Sequence, residues 1–579
     1  MKKIFGAAAG VLLAAAMCGT GAVTAWADTA AQVAAVSETA ADAAGETEAP
    51  EKPVIQVSAR ISSCTVTSDK QNIHIQGSSS GDPVGTDGKL YFFELHPYED
   101  GIGERRDYVW SATAGQNFSF NLPSNWGSNP DRMYNAFIAA VYDGEAFVEV
   151  SDPHYVTNPE VVAPNQAPFN TPLTKKGLRI QIDMLDDAMD LGVKHAGTDI
   201  MFQQILGSGI EYEYDGKIYH FSAPVMAEYD RTISALSGKG INVTAVILNG
   251  WSDATPELMY PGVQKTKDAN HYMFNVVTPK GYEETRAIAA FLAERYDGSN
   301  PNYGKVSNWV IGNEVNNQKN WNYMGPTDLT NYVRTYLKAF RVFYTAIKTA
   351  SASDRVYMSL DFHWNNEADG KLKYGGKSVV DAFNSIANVE GQFDWGLAYH
   401  PYPYPMTEPE FWDDDKTGLV TNDFDSPIIN FKNLNTLTDY FAQETLRTPS
   451  GHVRHIILTE QGFSAKSQTR GDVPYIQAAA FAYSYYLVDS NPYIDAYLLS
   501  RQVDGPSEVA LGTPLGLWEC DVNQPHRIVA TKRRKIWEVF KNIDKKKTTL
   551  ESTEFAKSIV GIDKWSDVVP NFKWRALEK

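Results

Sequence analysis

The chain is expected to be an α/β protein, a (β/α)8 TIM barrel preceded by an N-terminal all-β, sandwich-like domain. Two textures carry that expectation. From about residue 164 onward, apolar β-like runs alternate eight times with helix-period segments, the pattern of parallel strands joined by helices. Before that point, short alternating segments are separated by Gly, Asn, Asp and Pro clusters, as in a sandwich. The 579 residues exceed what one hydrophobic core holds, and 43% apolar with 21% charged residues is an ordinary globular composition.

In chain order, Lys2-Lys3, the apolar stretch Ile4 to Met17 and Ala25-Trp26-Ala27 ahead of Asp28 match a signal peptide over residues 1–27. The mature protein is therefore expected to be secreted or held at the cell surface. Cys18 after Ala-Ala-Met leaves a lipoprotein open, although Met is bulky where a small residue normally precedes the lipidated cysteine. Residues 28–52 are Ala, Glu and Thr with few large apolar side chains, and read as a flexible linker. Residues 53–163 hold the sandwich strands VIQVSARI, NIHIQGS, KLYFFELHP, NFSFNLP and AFIAAVYD.

Residues 164–579 are assigned to the barrel and its C-terminal tail. Strands are expected from Gly177, Val193, Ile241, Asn308, Arg355, Phe393, Arg454 and Tyr493. Helices follow at Met184 to Leu191, Val225 to Ser237, Tyr282 to Tyr296, Asp328 to Thr349, Val379 to Ala387, Leu434 to Glu444, Ile476 to Val488 and Val529 to Phe540. Eight such repeats predict closure, with long strand-to-helix connections carrying the binding loops. EYEYDGKIYHF and the stretch Trp251 to Thr278 read as insertions of that kind, and the tail after Lys545 is too short for a third domain.

Composition excludes several classes. A formal charge of −18 repels phosphate backbones, so nucleic acid is not an expected partner. After the leader no run of about 18 apolar residues remains, so no membrane span is expected. Cys64 and Cys520 fall in different domains and read as free thiols. Nucleotide, metal and serine-nucleophile motifs are missing, so neither a cofactor nor a metal is expected; Asp413-Asp414-Asp415 lacks the spacing of a calcium loop.

Two acids carry the chemistry. Glu314 closes the fourth strand in WVIGNEVN, and Glu460 closes the seventh in HIILTEQGF. Each follows an apolar run, which places both at the C-terminal mouth, the catalytic face of such barrels. Singly, either could be a strand-end acid paired with Lys or Arg. Together they suit retaining hydrolysis of a glycosidic bond, in which one carboxylic acid protonates the leaving oxygen and a carboxylate about 5–5.5 Å away attacks the anomeric carbon. Glu314 is then the acid/base and Glu460 the nucleophile.

Asn313-Glu314 closing strand four and Glu460 closing strand seven resemble clan A glycoside hydrolases, the "4/7" barrels, over roughly Gly177 to Lys541. Leu515-Gly516-Leu517-Trp518 with the later Arg533-Arg534-Lys535-Ile536-Trp537 is similar to the ending of many clan members. The resemblance implies that Asn313 hydrogen-bonds a sugar 2-hydroxyl. It also implies that His400, pointing inward with Ala398 and Gly396, orients Glu460, with Tyr402 beside it in the loop.

The remaining candidates line the mouth. Asp361 and His363 share a face of strand five with Ser359. Asn249, Trp251, Trp321 and Trp364 lie at or past strand ends, where an indole could stack on a pyranose or fill a core equally well. Asp199 on strand two and Arg501 on strand eight complete the polar set. The expected partner is an oligo- or polysaccharide. The alternatives are a non-catalytic glycan-binding barrel of the cell surface, and a protein whose sandwich is the principal functional unit.

Overall fold

In the computed structural model the described residues are 56–573 and 577, apart from 82–84, 114, 116, 129–130 and 367–368. The expected signal peptide and the expected linker, residues 1–52, lie outside them, as do residues 53–55 of the expected sandwich.

Two antiparallel sheets form the N-terminal part. One pairs Ser58–Val66, Asn72–Ser80 and Asn117–Pro123; the other joins Trp110–Thr113, Lys89–Leu95, Ala136–Tyr142 and Phe147–Glu149, with His154–Tyr155 also on Ala136–Tyr142. Alternation explains the layering. Ile61, Cys64, Ile73, Ile75, Phe118 and Phe120 from the first sheet pack on Leu90, Phe92, Phe137 and Val141 from the second. The opposite face of the second sheet is also apolar, with Tyr91, Phe93 and Ile138 covered by Ile102, Tyr155 and Phe147.

Eight parallel strands then close into a barrel: Lys176–Arg179, His195–Met201, Asn242–Leu248, Asn308–Ile311, Arg355–Asp361, Trp395–His400, Ile456–Gln461 and Ile494–Leu499, which we call barrel strands one to eight. Strand eight pairs back to strand one through Tyr497↔Lys176 and Leu498↔Gly177. These strands are buried on both faces, so they read as continuous apolar runs. Inward residues Val246, Leu248, Val310, Tyr357, Ala398, Ile457, Ala496 and Leu498 fill the barrel. Their outward neighbours, such as Val243, Trp309, Met358, Leu397 and Leu458, pack beneath the helices.

Seven of the eight expected helices stand close to their expected places, the longest being Leu329–Ala350. The eighth is a correction. Val529 to Phe540 divides into a strand, Ala530–Arg533, paired with Trp518–Cys520, and a helix, Lys535–Asn542. A β-branched start (Val529, Thr531) next to the edge of that short strand favours pairing over a helical turn. EYEYDGKIYHF forms the expected hairpin, Gly209–Tyr214 with Lys217–Ser222. The tail helix Lys546–Val560 lies against Pro474–Ser490, where the Tyr486 hydroxyl meets Thr549 and Thr553 at 2.6 and 3.0 Å. Cys64 and Cys520 are buried and free. Among the described residues no helix is long and apolar enough to cross a membrane.

Candidate active site

Glu314 stands three residues past the end of barrel strand four. Inward parity from Val310 leads to Gly312 and Glu314, and both have left-handed backbones, φ +78° and +40°. A glutamate in that region is strained, a conformation kept where surroundings over-determine it. Here the Glu314 N–H donates to Ser359 Oγ on strand five at 3.0 Å, and the Val315 N–H donates to the Ser359 carbonyl at 2.9 Å.

Glu460 reaches the mouth by a different device. Strict alternation after inward Ile457 points Thr459 inward and Glu460 outward. Between Leu458 and Gln461 the register against strand eight slips, three residues opposing two, and this bulge re-aims the side chain. The Tyr402 hydroxyl donates to Glu460 Oε1 at 3.0 Å. Burial, and then the negative charge of Glu460, push the Tyr402 hydroxyl well above its ordinary pKa, so it stays a donor.

The His400 expectation needs correcting. Its Nδ1 is 2.8 Å from Glu314 Oε1 and its Nε2 is 2.9 Å from Thr459 Oγ1, so it serves Glu314 and not Glu460. Alternation fixed which side of the strand His400 occupies but not which neighbour it meets. Tyr402, two residues on, takes the contact with Glu460.

Strand five supplies a third carboxylate. Asp361 accepts from Asn316 Nδ2 at 2.6 Å and from the His363 N–H at 2.9 Å, and its other oxygen lies 3.0 Å from His363 Nδ1. Burial opposes its charge, but these partners hold its pKa below the ordinary carboxylate value. Glu314 moves the other way. Burial is the largest cause, and the charges of Asp361 and Glu460 add to it, while His400 pulls only partly against them, so the Glu314 pKa is raised. The two glutamates are thus near enough for each other's charge to count.

Other expected residues scatter. Asn313 is nearly buried beside Glu314, and its side chain has no hydrogen-bond partner among the described residues. Asp199 is clamped by Arg179 through two bonds of 2.9 and 3.0 Å, and Arg501 pairs with Glu508 at 2.6 Å. Trp251 is partly exposed, its indole donating to Asp253 at 2.8 Å, and Trp321 stacks on His271. Trp364 and Asn249 are corrections. Trp364 is 0% exposed and donates to the Phe424 carbonyl, so its ring is core and cannot stack on a sugar. Asn249 is buried, its Nδ2 donating to the Leu258 carbonyl at 2.8 Å in the insertion after strand three, while its Oδ1 has no hydrogen-bond partner among the described residues.

Arg179, Thr459 and Asn316 were missed, and Ser359 was placed on the right face of strand five without a role. Arg179 ends a four-residue strand too short for parity to be read, although a lone charge closing an apolar run was a usable signal. Burial opposes its charge, and Asp199 and Glu460 more than offset that.

The model of the family of unknown function DUF5722 matches residues 168–568, the barrel and most of the tail. No curated protein matches the sequence. Similar solved structures include a family 39 glycoside hydrolase from Bacteroides cellulosilyticus WH2, at 15% identity over 83% of this chain and 82% of that one, TM-score 0.42. A family 1 β-glucosidase from Thermotoga maritima gives 13% identity over 62% of this chain and 85% of its own, TM-score 0.38. A Bacteroides uniformis β-glucuronidase gives 11% over 85% of this chain, TM-score 0.36, and the chain spans only 50% of that enzyme. The barrel itself stands on its own strand pairing.

Proposed function

We propose that this chain, which belongs to the family of unknown function DUF5722, is a secreted retaining glycoside hydrolase cleaving an O-glycosidic bond of an extracellular glycan. Glu314 is the acid/base and Glu460 the nucleophile. The observation that carries the reading is the unlike surroundings of two glutamates, Glu460 buried and Glu314 partly buried, at one barrel mouth. Burial and neighbouring negative charge favour a proton on Glu314, while Glu460 receives the Tyr402 hydroxyl at 3.0 Å. A general acid needs a carboxyl group that keeps its proton, and a nucleophile needs one held in place by a hydrogen bond, which is how these two differ.

The hydrogen bonds suit the steps. His400 occupies Glu314 Oε1 through its Nδ1 and Thr459 Oγ1 through its Nε2, which leaves Glu314 Oε2 to carry the proton toward the glycosidic oxygen. Glu460 attacks the anomeric carbon as that oxygen leaves, and its charge disappears in the ester. Glu314, now ionised, takes a proton from water as the water attacks the same carbon and Glu460 is released. Asn313, with its amide uncommitted, is placed to bond a sugar hydroxyl. Export follows from the leader pattern of residues 1–27.

The test is a panel of activated aryl glycosides and polysaccharides with product analysis. Glu460→Ala should lose turnover and recover part of it in azide as a glycosyl azide. Full activity in Glu460→Ala or in Glu314→Gln would refute the assignment, and glycan binding with no reducing sugar released would favour a binding protein.

A further inference from the structure

Barrel strand seven carries more than the nucleophile. Strand six pairs with it in register, Ala398 opposite Ile457 and Tyr399 opposite Leu458, and one step further sets His400 beside Thr459. Both side chains are 2% exposed, above the apolar layer of Ala398, Ile457, Ala496 and Leu498 that fills the barrel. The Thr459 hydroxyl meets His400 Nε2 at 2.9 Å, and His400 Nδ1 meets Glu314 Oε1 at 2.8 Å. Among the described residues Thr459 Oγ1 has no other hydrogen-bond partner.

Packing alone does not require that hydroxyl. A valine has the shape of a threonine and fills the same space, whereas a buried hydroxyl costs free energy unless it is bonded. Its one bond goes to an imidazole whose two nitrogens are both engaged, so His400 keeps no nitrogen for a substrate and acts through Glu314. The neighbouring carboxylates have partners of their own. Asp361, the register partner of His400 on strand five, bonds Asn316 and His363, and Glu460 accepts the Tyr402 hydroxyl.

Proton counting gives the hydroxyl its task. A carboxylate only accepts, so once Glu314 has given up its proton the bond at 2.8 Å needs a proton on His400 Nδ1. A neutral imidazole then presents a lone pair at Nε2, which calls for a donor, and the Thr459 O–H is the group in reach. Without the hydroxyl that lone pair is buried and unpaired. Moving the ring proton to Nε2 sets Nδ1 and Oε1 lone pair to lone pair, which only a proton kept on Glu314 relieves.

We infer that Thr459 is a positioning residue of the acid/base: its hydroxyl holds His400 with the ring proton on Nδ1, which ties down Glu314 Oε1 and leaves Oε2 to face the glycosidic oxygen. Two successive residues of strand seven thus supply the nucleophile and, through His400, the hold on the acid/base. The inference rests on the glycosidase reading for the roles of the two glutamates, but the state of the His400 ring is measured without turnover.

The experiment uses the full mature chain as wild type, Thr459→Val and Thr459→Ser. Histidine rings are labelled with 15N, the His400 signals are assigned by their loss in His400→Asn, and the shifts of the two nitrogens report which one carries the proton. Alongside, kcat/KM is followed against pH on aryl glycosides with a poor and a good leaving group. The inference expects the wild-type ring to be protonated on Nδ1 alone at the alkaline end of the titration, Thr459→Val to change both shifts, and Thr459→Ser to restore them. On the poor leaving group Thr459→Val should lose about tenfold, with the alkaline limb at higher pH and little loss on dinitrophenolate, while Thr459→Ser stays within about twofold of wild type. A wild-type ring protonated on Nε2 at that pH, His400 signals unchanged in Thr459→Val, or equal losses on both leaving groups with no movement of the limb would overturn it. If the ring responds as expected while the wild type cleaves no glycoside, the hold of Thr459 on His400 stands and the glycosidase reading falls; cleavage with an unresponsive ring gives the reverse.

Discussion

Both rims of the barrel are lined with charge, but the charges are arranged differently. At the N-terminal rim several are answered by an opposite charge or by carbonyls. Lys176 meets Asp544 at 2.7 Å, Lys305 meets Asp354 at 2.8 Å, and Asp495 takes both Arg355 at 2.8 Å and His455 at 2.6 Å. At the C-terminal mouth Arg179 with Asp199 and Arg501 with Glu508 follow the same rule at the edges. In the middle Glu314, Glu460 and Asp361 share a site whose direct hydrogen-bond partners are imidazoles, a phenol and amides. Strand ends at the base are stabilised by their pairs, whereas the carboxylates of the mouth crowd one another. Crowded carboxylates shift protonation, which is useful for chemistry and unhelpful for stability.

The largest expected effect lies in the mouth. Glu460→Ala should lower kcat by roughly 10^4-fold or more, and Glu314→Gln by about 10²–10⁴-fold on substrates with a poor leaving group. With a dinitrophenolate leaving group the Glu314→Gln loss in bond cleavage should shrink, because that group needs no proton. Steady-state and pre-steady-state kinetics on paired substrates would show this. Equal losses on both substrates would break the assignment of roles.

Next in size is a contrast between two neighbours. Tyr402→Phe removes a donor from Glu460 and should lower kcat by about 10–100-fold without moving the alkaline limb of kcat/KM. His400→Asn acts on Glu314. Because the His400 bond lowers the Glu314 pKa, losing it should carry that limb to higher pH. A pH profile of each variant decides between them.

The base should respond in stability and not in rate. Burial opposes the Asp495 charge, yet His455 and Arg355 hold its pKa below the ordinary value. A depressed carboxylate stabilises the fold above its unfolded pKa, and the gain is lost as pH falls through the folded value. Asp495→Asn should therefore lose about 1–2 kcal/mol at neutral pH, a loss that fades below about pH 4, read by denaturant melts.

The smallest effect is the mirror image. Glu314 has a raised pKa, so its contribution is present at low pH and lost as pH rises through the folded value. Glu314→Gln should melt up to about 2 °C higher than wild type near neutral pH, with the difference closing toward pH 4. A lower melting temperature would mean that the mouth is built like the base.

The same contrast explains what could be read in advance. The eight strands were legible because both faces of a closed parallel sheet are apolar, and each run begins within two residues of its expected start. Glu314 and Glu460 were legible as acids closing such runs. The Glu460 bulge was not, since register against a neighbouring strand is a tertiary property. Nor was the choice between Glu314 and Glu460 for His400, because both lie near the inward end of its strand. Trp364 read as a platform because an aromatic after a strand looks alike whether a loop covers it or not, and here the loop through Phe424 covers it. Val529 to Phe540 held a helical period in its second half only.

The most direct measurement is to trap the intermediate. The wild-type protein, incubated with 2-deoxy-2-fluoro glycosyl fluorides matching whichever aryl glycoside of the panel it cleaves, should gain one glycosyl mass and yield a labelled peptide with the sugar esterified on Glu460. A label on another residue, or anomeric inversion of the product with no adduct formed, would contradict the account.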